Sequence, residues 1–153
     1  MIDTPAVATV AAQRTACIPL VVSCSEIKQV MGPGIQEIFA ALAAQGVSPV
    51  GPWFTHHRRR PTDSFDFSIC VPIATQIKPV GRVQNGERRA ARIARTTYSG
   101  PYEGLGSAWG EFHAWLTANG YRAQTDLWES YLRGPESGDD PAAWRTELVQ
   151  PIA

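Results

Sequence analysis

The chain repeats itself, and this constrains its fold more than any other feature of the sequence. Four signals occur twice in the same order: a Gly-Pro pair, a glycine that ends a helical stretch, a tryptophan in a strand-like stretch, and a final Pro-Ile pair. They are Gly32-Pro33 and Gly100-Pro101, Gly46 and Gly120, Trp53 and Trp128, and Pro72-Ile73 and Pro151-Ile152. The offsets of 68, 74, 75 and 79 residues grow only where helices and loops can absorb insertions. A duplicated unit predicts a pseudo-twofold axis, and a cleft between two halves is a natural place for a ligand.

Composition favours one compact domain over residues 1–153. The chain is 44% hydrophobic and 18% charged, which is enough apolar material for a core. Fourteen basic residues balance fourteen acidic ones, so we expect neither direct nucleic-acid binding nor affinity for an anionic membrane. No apolar run approaches the ~20 residues that a membrane span needs.

The cysteines and histidines predict no metal and no disulfide framework. Cys17, Cys24 and Cys70 are odd in number and lack C-x-x-C spacing, which fits a reducing cytoplasm. His56 and His57 are adjacent and would face opposite ways on a strand, so they cannot readily share a metal ion. No cofactor motif is complete, because Glu37 stands where the third glycine of a dinucleotide fingerprint would be.

Periodicity predicts that each half is a β-α-β-β unit, with repeats at about 16–73 and 89–152. In the first half we expect strands at 6–13 and 17–23 that meet near Arg14, a helix from Gly32-Pro33-Gly34 to Gly46 with Ile35, Ile38, Phe39 and Leu42 on its apolar face, and strands at 53–57 and 65–73. Asn85-Gly86 is typical of a turn. The second half predicts strands at 89–97, 126–133 and 144–152, a helix from Tyr102 to Leu116, and a turn at 134–141. The fold class is therefore α+β: an antiparallel sheet with helices on one face and a central ligand cleft.

At this level the sequence resembles the GyrI-like family, which includes the effector-binding domains of multidrug-responsive transcription regulators. The motifs that carry the resemblance are Tyr98-Ser99-Gly100-Pro101-Tyr102, Trp128-Glu129-Ser130-Tyr131-Leu132-Arg133-Gly134-Pro135, Trp144-Arg145-Thr146-Glu147-Leu148 and Pro151-Ile152. The resemblance implies a cleft that binds small aromatic or cationic molecules, with an acidic residue, here Glu129, contacting the ligand. Regulators of this family usually carry a DNA-binding segment before this domain. None precedes the motifs here, so we expect a stand-alone module, with a separate protein partner possible.

Strand alternation gives a first hypothesis for the site. Leu127, Glu129 and Tyr131 share one face of their strand, and Trp128 shares the other with Leu132. Because Trp128 and Leu132 are apolar, we expect them under the helix, which leaves Glu129 and Tyr131 in the open cleft. The predicted ligand-binding residues, including first-half positions placed by the 75- and 79-residue offsets, are Phe54, His56, Phe65, Phe67, Tyr98, Tyr102, Glu129, Tyr131, Trp144 and Thr146.

Several of these residues have a structural alternative. Glu129 could pair with Arg133 or Arg145, and Tyr98 and Tyr102 could bond to the backbone instead of capping the cleft. Trp109, Phe112 and Trp115 are at helical spacing and are interpreted as packing residues.

Three functions are compatible with this sequence. The first is a binding protein for lipophilic aromatic cations, acting in drug sensing or sequestration. The second, which the family resemblance implies, is a hydrolase of cyclopropane-bearing or other electrophilic natural products, with Glu129 as general base and Tyr131 or Tyr98 positioning the electrophile or donating a proton. Whether the protein is an enzyme is left open at this stage. The third is inhibition of another protein by surface contact, which the neutral net charge does not favour.

Overall fold

A computed structural model of the chain describes residues 2–134 and 138–153, and residues 135–137 of the predicted turn at 134–141 lie outside it. The chain divides into two compact units, one formed by Ala11–Ala90 and the other by Met1–Val10 with Ala91–Ala153. The elements in chain order are β1 Ala6–Val10, β2 Gln13–Ser23, α1 Ile27–Ala44, β3 Phe54–His57, β4 Ser64–Pro72, β5 Gln84–Arg88, β6 Ala91–Ser99, α2 Leu105–Ala118, β7 Leu127–Arg133 and β8 Arg145–Pro151.

Each unit contains one β-α-β-β repeat, which confirms the predicted α+β class and the duplication. In the first, the antiparallel strand order is β3-β4-β2-β5, and in the second it is β1-β6-β8-β7. Each repeat therefore has its first strand flanked by one additional strand, β5 on β2 and β1 on β6. Among the described residues, no helix is long and apolar enough to cross a membrane.

One helix packs on one face of the sheet in each unit. In the first unit, Ile38 and Leu42 of α1 lie against Ile18, Phe67 and Ile69. In the second, the α2 residues of the core are Ala108, Trp109, Phe112 and Leu116, and the strand residues beneath them include Ala94, Leu127 and Leu148. Burial of these apolar side chains is the main stabilising contribution in each unit.

The first helix begins earlier than predicted. It starts at Ile27, so Gly32-Pro33-Gly34 lies inside α1 instead of opening it. Ile27 and Val30 pack against the first core and hold this segment in place although Pro33 removes one helical hydrogen bond. Phe39, predicted to face the core, is 37% exposed.

Two further expectations about the strands are wrong. The predicted strands at 6–13 and 17–23 do not meet near Arg14, because β1 pairs with β6 while β2 begins at Gln13. Asn85-Gly86 is not a turn but part of β5, paired with β2. The side chain of Asn85 instead accepts from the Ile77 N–H at 2.9 Å and donates to the Ile77 carbonyl at 2.8 Å, bonds that shape the preceding loop.

The pairing registers correct the alignment of the two repeats. Ile69 pairs with Ile18 and Thr55, and Leu148, 79 residues later, pairs with Thr96 and Glu129. Thr55 and Glu129 are therefore equivalent, at the offset of 74 already present at Gly46 and Gly120.

Matching Trp53 to Trp128 at an offset of 75 is consequently wrong by one residue. Trp53 packs against the first core, as does its true equivalent Leu127 in the second, whereas Trp128 corresponds to Phe54. The Gly-Pro pairs are not equivalent either, since Gly32-Pro33 lies within α1 and Gly100-Pro101 lies before α2.

Candidate functional site

The side chain of Glu129 is at the centre of the candidate site. It is 8% exposed, and it lies on β7 beneath α2. The indole N–H of Trp109 donates to Oε2 at 2.7 Å, and the hydroxyl of Tyr131 donates to Oε1 at 2.7 Å. These two bonds fix the orientation of the carboxylate. A fixed, partly desolvated carboxylate of this kind attracts a cation more strongly than one in water.

The face on which Glu129 lies differs from the prediction. Leu127, two residues before it, packs in the second core, and Trp109 on α2 contacts Glu129 directly. The helix-covered face of β7 is therefore the one with Leu127, Glu129 and Tyr131, and Trp128 points to the other. The sequence analysis placed Trp128 under the helix because it is apolar. Leu127 packs under α2 instead, and alternate residues of a strand share a face, so Glu129 and Tyr131 lie on the helix-covered face with it.

The first repeat carries Thr55 and His57 at the positions of Glu129 and Tyr131. Thr55 Oγ1 and His57 Nε2 are 2.9 Å apart, and both side chains are buried. Phe54 and His56, which were predicted to hold these positions, lie on the opposite face of β3, because successive residues of a strand alternate. The prediction of a role for Phe54 and His56 therefore rested on an offset that was wrong by one.

Tyr131, which bonds to Glu129, belongs to a cluster of three aromatic rings. The rings of Tyr102 and Tyr131 meet edge to face, with centroids 6.0 Å apart at 82°. Tyr102 also lies 5.1 Å from the ring of Trp144. Tyr102 is 36% exposed and the other two rings are half-buried, so the cluster extends from the surface towards Glu129. The structure thus brings together four of the predicted residues: Tyr102, Glu129, Tyr131 and Trp144.

Thr146 lies beside this cluster on β8. It pairs with Tyr131 on one side and with Tyr98 on the other, and it is fully buried. Its hydroxyl has no hydrogen-bond partner among the residues that the structure describes. Buried hydroxyls are nearly always satisfied, so this oxygen is suited to a polar group of a ligand or to a bound water.

Of the two roles considered for Tyr98, capping the cleft or bonding to the backbone, the structure shows the backbone bond. Its hydroxyl donates to the carbonyl of Pro101 at 2.8 Å, and its ring is buried in the second core. The Tyr98 hydroxyl lies against Gly104, and a Cβ at that position would overlap the phenol. Only glycine therefore fits at position 104 without a shift of Tyr98. Tyr98 therefore shapes the turn that carries Tyr102.

Two predicted aromatic residues of the first repeat, Phe65 and Phe67, lie beside His57. The ring of Phe67 stacks on His57 at 5.3 Å and 17°, and Phe65 lies 5.9 Å from the same imidazole. Phe67 is fully buried in the first core, and Phe65 packs at its edge. That Phe54 and Phe65 share one cleft with Glu129 remains a prediction.

Sequence reasoning missed Trp109 as a site residue. Helical spacing correctly placed its ring in the core, where it packs near Phe112. The signal that could have found its second role is the indole N–H, because a buried tryptophan generally needs an acceptor.

A duplicated α+β unit with a buried carboxylate beside an aromatic cluster is typical of a small-molecule-binding domain. The sequence matches the family described as GyrI-like small molecule binding domain over residues 3–153. The chain therefore belongs to this family. The comparison with curated proteins found no match.

Solved structures share this fold at low sequence identity. The EcmrR C-terminal domain is 22% identical with a TM-score of 0.87, over 98% of this chain and 97% of that one. EcmrR in its complex with DNA is also 22% identical, with a TM-score of 0.86. The match covers 97% of this chain but only 57% of the EcmrR chain.

Two other structures illustrate the range of proteins with this fold. A hydrolase from Listeria innocua is 13% identical with a TM-score of 0.68, over 97% of this chain and 91% of that one. SAV2435, solved bound to tetraphenylphosphonium, is 9% identical with a TM-score of 0.64, over 99% and 94%.

Proposed function

We propose that this protein binds lipophilic aromatic cations through Glu129 and the adjacent aromatic cluster of Tyr102, Tyr131 and Trp144. The observation that carries the proposal is the buried Glu129 carboxylate, which Trp109 and Tyr131 hold in a fixed orientation beside the aromatic cluster. A cation can pair with this carboxylate while its apolar groups stack on the rings.

The geometry suits a diffuse cation better than a compact one. A small ammonium ion would lose much of its hydration on reaching a carboxylate that is 8% exposed. A large organic cation is weakly hydrated and has apolar surface to bury against Tyr102 and Trp144. Tetraphenylphosphonium, the ligand of SAV2435, is of this type.

Drug sensing or sequestration is the biological role we propose. EcmrR, which has this fold as its C-terminal domain, was solved on DNA, but the fold alone does not carry that activity over. The three cysteines are free thiols, in keeping with the proposed cytoplasmic location. A role in sensing would then need a separate protein partner.

The test is titration of tetraphenylphosphonium, followed by calorimetry, against wild type and Glu129→Gln. The variant keeps the shape and removes the charge, so affinity should fall about 10- to 100-fold, the scale of losing a charged hydrogen-bond partner. Triphenylphosphine oxide, a neutral aromatic probe, should lose much less. Glu147→Gln is the matched control, since Glu147 lies one residue from Thr146 on the other face of β8. Equal losses for both probes would exclude the electrostatic account.

Hydrolysis of an electrophilic natural product is the second candidate, and the 2.7 Å bond between Tyr131 and Glu129 favours it. Glu129 would take a proton from water as the water oxygen attacks the electrophilic carbon, the bond from that carbon to its leaving atom would break, and Tyr131 would donate a proton to that atom. The proton on Glu129 would then return to the Tyr131 oxygen along the bond between them. The Listeria hydrolase shares the fold alone. Tyr131→Phe should then abolish breakdown of a cyclopropane-bearing substrate but retain its binding. Unchanged breakdown in Tyr131→Phe and Glu129→Gln would reject the catalytic roles of these two residues, and no breakdown by the wild type would reject the enzyme.

A further inference from the structure

Cys17 and Cys70 lie directly opposite each other in the β2–β4 pair. At the end of the same ladder, Arg14 lies opposite Ile73, and the Ile73 N–H donates to the Arg14 carbonyl at 3.0 Å. Arg14 and Ile73 are therefore a hydrogen-bonded pair. Hydrogen-bonded and non-hydrogen-bonded pairs alternate in antiparallel strands, so Cys17, three residues on, is in a non-hydrogen-bonded pair. Opposing Cα atoms in such pairs are about 4.5 Å apart, within the range that disulfides span.

Both thiols lie on the face of the sheet away from α1. Ala16 and Ile18, on either side of Cys17, belong to the first core under the helix, so Cys17 points the other way. Cys70 shares that face because it is directly opposite. Both are free thiols, 7% and 5% exposed, so they are nearly shielded from solvent.

We propose that Cys17 and Cys70 form a dithiol modification site that a hydroperoxide converts to a disulfide. The Cys17 thiolate attacks a peroxide oxygen, the O–O bond breaks, and a sulfenic acid and hydroxide form. The Cys70 thiolate then attacks that sulfur, the S–S bond forms, and a second hydroxide leaves. The two thiol protons and the two hydroxides give two waters, so each sulfur is oxidised by one electron and the peroxide is reduced by two.

Local geometry sets what the step requires. The Cys17 sulfur now lies near Gly86, where an added Cβ would be 2.7 Å from it, so bond formation needs a rotation about the Cys17 Cα–Cβ bond. Burial raises the pKa of both thiols, while the positive charge of Arg58 opposes that shift in each. Since the thiolate is the reactive form, the rate should rise with pH.

The bridge would join β2 to the strand that carries Phe65 and Phe67. It would close a loop of 53 residues within the first unit, as the difference between positions 70 and 17 shows. Constraining the unfolded chain in this way stabilises the folded state. The proposed dithiol site belongs to the first unit, whereas Glu129 belongs to the second.

The experiment uses the full chain with Cys24→Ser, which removes the exposed third thiol. After hydrogen peroxide at pH 8, the mass should fall by about 2 Da because two hydrogens are lost. Alkylation after unfolding should then label no cysteine instead of two, the melting temperature should rise, and dithiothreitol should reverse all three changes.

The matched control is Cys17→Ser with Cys24→Ser, which keeps Cys70 alone and should show neither the mass loss nor the rise in melting temperature. In wild type, the bridged peptides should contain Cys17 and Cys70. Two alkylatable thiols after peroxide, or addition of oxygen without a loss of about 2 Da, would overturn the proposal.

Discussion

Thr55 and Glu129 occupy the same position in the two repeats, and each bonds to the side chain two residues later. The distances are 2.9 Å from Thr55 Oγ1 to His57 Nε2 and 2.7 Å from Glu129 Oε1 to the Tyr131 hydroxyl. The duplicated backbone thus supports the same side-chain pairing with different chemistry. Only the second repeat places a carboxylate at this position, which confines the proposed recognition of cations to that unit.

Trp109→Phe should destabilise the protein through the lost hydrogen bond to Glu129. Phenylalanine keeps an aromatic ring but is smaller than the indole, so some packing is lost together with the donor to Oε2. Hydrogen bonds to charged groups contribute about 1.5–3 kcal/mol, and urea denaturation should show a loss of at least this size.

Trp115→Phe is the control for this prediction. Trp115 is also on α2, and its ring stacks on Tyr121 at 5.8 Å, away from Glu129. It should lose less stability than Trp109→Phe. Equal losses would mean that indole volume, and not the bond to Glu129, determines the effect.

Gly104→Ala and Gly106→Ala should change stability in opposite directions. A Cβ at Gly104 would overlap the Tyr98 hydroxyl, whereas none of the described atoms lies within 4 Å of one at Gly106. Overpacking typically costs about 1–3 kcal/mol, and alanine in a helix stabilises by up to about 1 kcal/mol relative to glycine. Thermal unfolding of the two variants would measure both effects. A loss of stability in Gly106→Ala would contradict the open space seen there.

Much of the fold could be predicted from the sequence. The strands β4, β7 and β8 were found within one or two residues because alternating apolar residues mark half-buried strands. The start of α1 was missed because Gly32-Pro33-Gly34 has helix-breaking chemistry, which the packing of Ile27 and Val30 overrides. Asn85-Gly86 has turn chemistry as well, yet Gly86 is needed in β5 where Cys17 and Thr15 leave no room for a Cβ.

The candidate site was harder to predict than the fold. Matching Trp53 to Trp128 by residue type shifted the alignment by one, and a shift of one in a strand exchanges its faces. Glu129 and Tyr131 were still named together, because they lie two residues apart whichever face they occupy. The bond from Trp109 could not be predicted, since it depends on how α2 lies over β7.

The ion pair between Arg82 and Glu37 should make a small, pH-dependent contribution to stability. The guanidinium, 3.0 Å away, holds the pKa of Glu37 below its usual range. A carboxyl with a lowered folded-state pKa stabilises above its unfolded pKa and loses that effect as pH falls through the folded one. Arg82→Gln should cost at most about 0.5 kcal/mol at pH 7 because the pair is exposed to solvent. Urea denaturation should show the difference disappearing as the pH falls below the folded-state pKa of Glu37, and a difference that persisted in acid would assign it to packing.

Thr146→Val tests whether the buried hydroxyl beside Tyr131 is kept for binding. Valine has nearly the same shape, and the hydroxyl has no hydrogen-bond partner among the described residues. Because an unsatisfied buried polar group costs about 1–3 kcal/mol, the ligand-free variant should be more stable than wild type by up to that amount. Ligands that carry a hydrogen-bonding group should bind the variant more weakly, whereas tetraphenylphosphonium, which has none, should be unaffected.

Thr146→Ser, which keeps the hydroxyl and loses a methyl, should be less stable but retain the preference for polar ligands. Denaturation and calorimetry on the two variants give both quantities, and a Thr146→Val protein that is less stable than wild type would show that the hydroxyl serves the fold.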